Sequence, residues 1–600
     1  MTTSAERYSE RRARFAADAE VHERRAWQIS AARVAAFTAA VLCGLIVERT
    51  GAAWSVAGLV ALMALFLVLV GAHQRARSRR AWFRELAALN VEGLHRLERT
   101  WDQLPSPAVS RPLDTHAYAA DLDIYGHASL TQILGPVGST AGAARLEEWL
   151  LQRSAAQDVM ERQAAVRELA ARLDVRDALA VHARRTRSTR AADVERFLSW
   201  AESAGWLRTH PVVHALSWLV PAATLSLLAA HGLGVIERAL WLLPLALALA
   251  LYFAIGGSTR AVFDEAFGRE ALFEHYPAML ELISATRFEA PLLRGLSGRL
   301  MHQDVPAHTR VATLASLMHH ADMRHSSTHL PLFLLTLWDV HIMRALERWQ
   351  SECGRSVRDW LDVLGTMEAL CALATLHHDH PDWAFPVIDG AAQVIDAVQL
   401  GHPLLHEDVR VDNDVTVGPG GTFLLVTGSN MSGKSTLLRA LGVNVVLAHA
   451  GAPVCARSMR LPPLEVHTSI RVQDSLARGV SYFMAELERL KQIVDAAERL
   501  RREESVSQLF LLDEILHGTN SAERRIAARH VIRHLVDTGA LGAVTTHDLE
   551  LADEPALRAA AQLVHFREQV TGASLSFDYL LRPGLATSTN ALELMRLVGL

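Results

Sequence analysis

Residues 428–436 read Gly-Ser-Asn-Met-Ser-Gly-Lys-Ser-Thr and follow the apolar run Phe423-Leu424-Leu425-Val426. Two glycines framing four residues, then a lysine and a hydroxyl, form the pattern of a phosphate-binding loop. Backbone N–H groups of Gly428, Ser429, Asn430, Met431, Ser432 and Gly433 would point inward around phosphates, and the glycines let the chain approach closely. Lys434 would bridge the β- and γ-phosphates of ATP, and the hydroxyl of Ser435, next to Thr436, would ligate Mg²⁺. Thr436-Leu437-Leu438-Arg439-Ala440-Leu441 are good helix formers, so the spacing predicts strand, loop and helix in that order.

A second apolar run, Leu509-Phe510-Leu511-Leu512, ends in Asp513-Glu514. Asp513 is placed to hold Mg²⁺ through its water shell, and Glu514 to orient or deprotonate an attacking water. A third strand, Ala543-Val544-Thr545-Thr546, ends in His547, which would sense the γ-phosphate. Together these predict a hydrolytic nucleotide site with Lys434, Glu514 and His547 as its catalytic groups.

At this point the chain resembles the MutS-type ATPases of DNA mismatch repair. Residues 427–436 look like that family's TGxNMxGKST, and 474–486, Asp-Ser-Leu-Ala-Arg-Gly-Val-Ser-Tyr-Phe-Met-Ala-Glu, look like its DDLxxGxSTFMxE. Asp513-Glu514-Ile515-Leu516-His517-Gly518-Thr519-Asn520-Ser521 is similar to DEIGRGTST, and Thr546-His547 to ATH. The resemblance implies an ABC-type P-loop ATPase domain, a mostly parallel sheet flanked by helices, at the C-terminus. It further implies a homodimer with composite sites, in which Ser481 reaches the γ-phosphate of the opposite subunit. Phe577-Asp578-Tyr579-Leu580-Leu581-Arg582-Pro583-Gly584 resembles the segment that lays an aromatic ring on adenine, a role carried here by Tyr579. The stretches Leu122-Asp123-Ile124-Tyr125-Gly126, Arg145–Leu151 and Glu161–Val166 are similar to the all-α MutS core, and Gly401-His402-Pro403 to the entry into the ATPase. Mismatch-recognising members begin with a domain whose Phe-x-Glu wedge enters the duplex. Phe83-Arg84-Glu85 has those letters but lies in a charged helical stretch, and reads as helix surface.

The elements that must carry this engine include membrane-like segments. Ala52–Ala72 holds no charged residue, and Val34–Val47, extended back through Arg33, is a second apolar run joined to it by Glu48–Gly51. Pro211–Ile236 and Ala239–Ser258 form another such pair about Glu237 and Arg238. Four predicted transmembrane helices in two hairpins follow. Arginines cluster before the first and after the second (Arg24, Arg25, Arg75, Arg77, Arg79, Arg80), whereas the turns carry one each. Positive charge inside then gives a multi-pass inner-membrane protein with a cytoplasmic ATPase, and the long arginine-rich leader argues against a cleaved signal.

The expected organisation is a basic leader (1–25), hairpin 1 (26–73), a helical core segment (74–210), hairpin 2 (211–258), a helical lever continuation (259–400) and the ATPase (401–600). A formal net charge of −5 supplies no global pull toward nucleic acid. Local basic stretches at 184–190 and 499–502 fit solvated helix faces or phosphate tracks. The cysteines, Cys43, Cys353, Cys371 and Cys455, lack a C-x-x-C, so neither a disulfide framework nor a zinc finger is indicated. Histidines at 319–329 and 377–380 have spacings open to metal, without the acid–histidine frame a site needs. Two functions remain open: a membrane-tethered ATPase coupled to DNA, of the mismatch-repair, damage-sensing kind, or the same engine driving a membrane or protein partner without DNA.

Overall fold

The computed structural model describes residues 3–106, 113, 116–186, 190–267, 275–302, 304–326, 329–429, 431–471, 482–503, 506–516, 521–547, 554–571 and 574–585. The chain divides into two compact units, one of residues 1–135, 375–448 and 452–600, the other of 136–374 and 449–451.

The first unit begins with two long helices, α1 (Ser4–Thr50) and α2 (Ala53–Glu98). Thr3 and Glu6 close a capping box at the start of α1, satisfying N–H groups that the helix itself leaves unpaired. Gly51 ends α1 at φ 57°, a left-handed turn that glycine adopts without a Cβ clash, and the chain reverses into α2. The apolar parts of both helices face outward: Phe37, Leu42, Leu45, Val60, Leu67 and Val68 are all exposed. Phe83 stacks on Phe15 and His22 between the helices, with Arg84 bonded to Glu23, which is a hairpin packing role.

The C-terminal part of this unit is α/β. Its smaller sheet has the order β1 (Val387–Ile388), β5 (Ser458–Leu461), β2 (Ile395–Leu400), β3 (Asn413–Val417). The larger sheet comprises β4 (Phe423–Thr427), β6 (Leu464–Ser469), β7 (Ser507–Asp513), β8 (Leu541–Thr545), β9 (Ala561–Thr571) and β10 (Ser574–Pro583). Its order is β10-β9-β4-β8-β7-β6, parallel throughout except for the β9–β10 hairpin at one edge. The inner strands are buried on both faces, which is why they read as continuous apolar runs without alternation. Helices α3 (Lys434–Ala450), α4 (Tyr482–Arg501) and α5 (Ser521–Asp537) complete it. Leu490 and Ile493 of α4 and Ile532 and Leu535 of α5 pack on Phe423, Leu425, Phe510 and Leu512. Close approach demands small residues at two places. A Cβ on Gly542 of β8 would overlap the Phe510 carbonyl oxygen, and one on Gly442 of α3 would meet Leu122 and Leu511 at 2.8–2.9 Å.

Among the described residues, the regular structure of the second unit is helical apart from a short ribbon, Met301–His302 with Val305–Pro306. Buried Glu368 accepts from the N–H groups of Gly138 and Ser139 at 2.9 and 3.1 Å, fixing the start of helix Thr140–Leu151. Trp200 stacks on Trp349, and Trp349 and Trp360 are buried, whereas Trp338 is half-buried. Helices Pro211–Gly232 and Leu242–Phe267 pack against His329–Thr336 and Trp338–Cys353 through Val220, Ala248, Ile255, Phe333, Leu337 and Met343. His329 pairs with Asp339 at 2.9 Å, both buried.

Among the described residues, three helices are long and apolar enough to cross a membrane: α1, α2 and Pro211–Gly232. The fourth expected span falls on the helix Leu242–Phe267, of which Leu242–Gly257 is apolar. Gly234 adopts φ 71°, and the turn that follows leaves Ala239–Trp241 outside the helix.

Candidate functional site

The registers of the large sheet bring three strand ends level. Val426 of β4 pairs with Thr545 of β8, which in turn pairs with Asp513 of β7. Whatever follows these residues therefore gathers at the carboxyl edge of the sheet, where open α/β sheets form their ligand crevices. After β4 comes the loop 428–433, after β7 comes Glu514, and after β8 comes His547.

Gly428 (φ 145°) and Gly433 (φ 105°) hold backbone angles that only glycine takes readily, so the loop curls back over the start of α3. Lys434, the first residue of α3, is 4% exposed. Its Nζ donates to the carbonyls of Gly428 at 2.9 Å and Ser429 at 3.0 Å, and lies 3.4 Å from Glu514 Oε1. The buried hydroxyls of Ser429 and Ser432 have no hydrogen-bond partner among the described residues. Met431 is exposed, and Ser435 and Thr436 line the cleft alongside Lys434.

Asp513 accepts a hydrogen bond from the Thr545 hydroxyl. Glu514 sits at φ 49°, a strained conformation for a residue with a Cβ, and is held there by its N–H donating to Thr545 O at 3.2 Å and Oγ1 at 3.1 Å. Two residues on, the Leu516 N–H donates to the carboxylate of Glu486, a buried side chain on α4. His547 Nε2 meets Glu514 Oε1 at 2.6 Å. Burial pushes the Glu514 carboxyl up, but His547 and Lys434 together outweigh it and hold it below the ordinary glutamate range.

With His547 standing behind Glu514, residues Gly433, Lys434, Ser435, Thr436, Asp513 and Glu514 line a cleft of about 840 Å³, in the size range of small-molecule sites. Its far wall is the segment after β2: His402, Leu405, Val409, Val411 and Asn413. Burial, with Arg439 and Arg471 nearby, drives His402 down to about 4, so its imidazole is neutral near neutrality. Tyr579 lies at the mouth, 41% exposed, its ring so close to Gly433 that a Cβ there would sit 3.2 Å from Tyr579 Cδ1. Asn413 ties this strand in place, donating to Tyr579 O at 3.0 Å and accepting from Leu581 N at 2.7 Å.

The structure thus brings Gly428, Ser429, Met431, Ser432, Gly433, Lys434, Ser435, Thr436, Asp513, Glu514, His547 and Tyr579 to one edge of the sheet. Asn430 and Ser481 lie outside the described residues. Among the described residues, no group of three or more His, Cys, Asp or Glu could hold a metal ion. Sequence reasoning missed His402, Asn413, Thr545 and Glu486 as supporting residues. Glu486 had a signal, as the acid closing the 474–486 stretch; Asn413 had none, because its partners lie at the other end of the domain. Asp121 was missed too: it accepts from Thr468 Oγ1 at 2.6 Å and from the N–H groups of Ile470 and Arg471 at 3.0 and 3.1 Å, pinning the end of β6.

Residues 424–600 match the family model described as MutS domain V. The chain is 36% identical over 244 residues to the DNA mismatch repair protein MutS 2 of Halobacterium salinarum, covering 40% of this chain and 27% of that protein. It is 32% identical over 262 residues to the DNA mismatch repair protein MutS of Natronomonas pharaonis, covering 43% and 28% respectively. The chain therefore spans little more than a quarter of the length of these curated relatives.

Proposed function

The chain belongs to the MutS family through its C-terminal domain, and from that premise we propose that it is a membrane-tethered ATPase that binds and hydrolyses ATP as a dimer and couples this cycle to DNA. The observation that carries the reading is the meeting of Lys434, Glu514 and His547 within 3.4 Å at the ends of three neighbouring strands. On this reading the large sheet with α3–α5 is an ABC-type P-loop domain, and the 840 Å³ cleft receives the nucleotide.

Lys434 rests on two loop carbonyls and on Glu514. An arriving triphosphate attracts Lys434 to its β- and γ-oxygens and brings negative charge beside Glu514. Glu514 then loses a cationic neighbour and gains an anionic one, so its proton affinity rises. That change suits it to take a proton from the attacking water, with His547 fixing the carboxylate's direction. Ser435 and Asp513 offer hard oxygen donors that fit Mg²⁺, which when bound neutralises phosphate charge. Tyr579, beside Gly433 with one part of its ring open, supplies a stacking surface for adenine. Ser481 of one subunit completes the site of the other.

The hairpin α1–α2 supports tethering. His73 Nδ1 meets Ala26 O at 3.1 Å, so the helices are level there, next to exposed Trp27; Trp54, also exposed, begins α2 at the opposite end. From Trp54 to His73 a helix rises about 28 Å, close to the hydrocarbon thickness of a bilayer, and tryptophans favour its two interfaces. A second reading, without DNA, draws support from the basic stretch at 499–502: the guanidinium of Arg499 is taken up by Glu465 and Glu503.

The test is the ATPase rate of the detergent-purified full chain with and without duplex, mismatched and branched DNA at two salt concentrations. Stimulation that weakens with salt is the expected result, since phosphate contacts release counterions. A rate indifferent to every DNA would transfer the assignment to the second reading. No hydrolysis under any condition would overturn both.

A further inference from the structure

The base of the α1–α2 hairpin, remote from its Gly51 turn, is bound to the same segment that walls the cleft. There Tyr8 of α1 lies over Gly93 of α2, where an added Cβ would meet three ring carbons at 2.8 Å. Tyr8 Oη donates to Asp379 Oδ1 at 2.5 Å and accepts from Arg96 Nη2 at 3.1 Å, while Arg96 Nε donates to Asp379 Oδ2 at 3.0 Å. All three side chains are buried, so this is a satisfied ionic latch with no solvent to loosen it. Ser4 Oγ adds a bond to His378 O at 2.7 Å.

One turn further along, Arg99 ends α2 in the left-handed conformation, φ 55° and ψ 35°. Helices commonly place glycine there, because a Cβ is strained in that region. An arginine that accepts the strain is expected to use its side chain, and it does. Arg99 Nη2 donates to Pro403 O at 2.9 Å and lies 3.1 Å from His380 Nε2. Burial holds His380 down to about 3, leaving the neutral ring that can accept this bond. Pro403 adjoins His402 and precedes Leu405, Val409 and Val411, all of which line the cleft. The wall is also held at Gly401, whose carbonyl accepts from Asn444 of α3 at 2.9 Å and whose N–H donates to Cys455 O at 2.8 Å, and at Asn413 by Tyr579 and Leu581.

Resting on the nucleotide reading of the cleft, we propose that Arg99 is a positioning residue for the nucleotide: it joins the membrane hairpin to the 402–413 wall, so that the state of the hairpin sets nucleotide affinity. The hairpin would then act as a sensor of the bilayer and not only as an anchor. A change in helix tilt, forced by bilayer thickness, reaches the latch as a displacement of α2 and the wall as a shift of Pro403.

The test uses the full chain and a fluorescent ATP analogue with Mg²⁺, titrated in detergent and in bilayers of short- and long-chain phosphatidylcholine. Arg99→Gly is the informative variant, because glycine relieves the strained cap while deleting the link, so the fold is retained. The expected result is affinity weakened about tenfold and KM for ATP raised in parallel, with kcat within about twofold, as uniform loss of binding requires. Arg99→Lys, which keeps a donor near Pro403, recovers most of the affinity. Wild-type affinity differs between the two bilayers by severalfold, and Arg99→Gly abolishes that difference. If the wild type binds and Arg99→Gly binds equally well, the inference is overturned while the nucleotide reading stands. If the wild type binds no nucleotide, the nucleotide reading fails and this inference with it.

Discussion

Replacing Glu514 by glutamine isolates the chemistry of the site with the least structural change. Glu514 contacts His547 at 2.6 Å and Lys434 at 3.4 Å. Lys434 keeps its bonds to Gly428 O and Ser429 O when the charge is removed, so no buried cation is stranded. The cost to folding is therefore about 1 kcal/mol, well short of the roughly 3–5 kcal/mol seen when a buried charge loses its sole partner. Binding moves the other way. A carboxylate about 6 Å from a phosphate, at an effective dielectric of about 20, repels it by roughly 3 kcal/mol. Mg²⁺ and Lys434 offset most of that, and about 1 kcal/mol of relief would tighten ATP binding roughly fivefold. Hydrolysis loses its general base, a loss of about 10²–10⁴-fold in kcat. Three measurements suffice: phosphate release at saturating ATP, titration with a fluorescent ATP analogue, and thermal unfolding. Size-exclusion chromatography with ATP adds whether the tightly bound state accumulates as a dimer. A variant that hydrolyses within about fivefold of wild type would refute the role given to Glu514. One that no longer binds ATP would refute the electrostatic argument.

Two further outcomes follow from packing and protonation. Gly542→Ala puts a methyl onto the Phe510 carbonyl oxygen and 2.5 Å from its ring, with backbone unable to yield. It should part β7 from β8, costing about 2–4 kcal/mol in thermal or denaturant unfolding and lowering ATPase with it, since Asp513 and Glu514 lie at the end of β7. His402 and His380 are held neutral, at about 4 and about 3 in the fold, below the ordinary histidine value of about 6.5. The unfolded chain takes up protons first, so their contribution is intact above pH ~6.5 and is lost progressively as pH falls toward about 4 for His402 and about 3 for His380. The melting temperature should decline across that window, and His402→Gln should flatten part of the decline.

Much of the α/β domain was legible because its local rules agree. Apolar runs at 423–426, 509–512 and 543–544 each end in a polar group, and a glycine-framed loop followed by helix formers leaves little freedom for the chain between Phe423 and Leu441. The length and composition of α1 and α2 likewise announced long apolar helices. Hairpin 2 was legible as two apolar helices about Glu237 and Arg238, but not in where the second begins: the turn runs on through Trp241 and the helix starts at Leu242.

What the residues alone determined, then, is which segments are strands, which loop can surround phosphates and which side chains stand at strand ends, because periodicity, glycine conformations and helix propensity act over a few neighbours. Only the tertiary structure decided that β8 lies between β4 and β7, bringing Thr545 to Asp513 and His547 to Glu514. It also decided that Tyr579 rests on Gly433, and that Arg99 reaches Pro403 across 304 residues of sequence. No local pattern encodes such meetings. They arise from which buried faces fit together, and from where strand register and helix ends leave polar groups that must find partners.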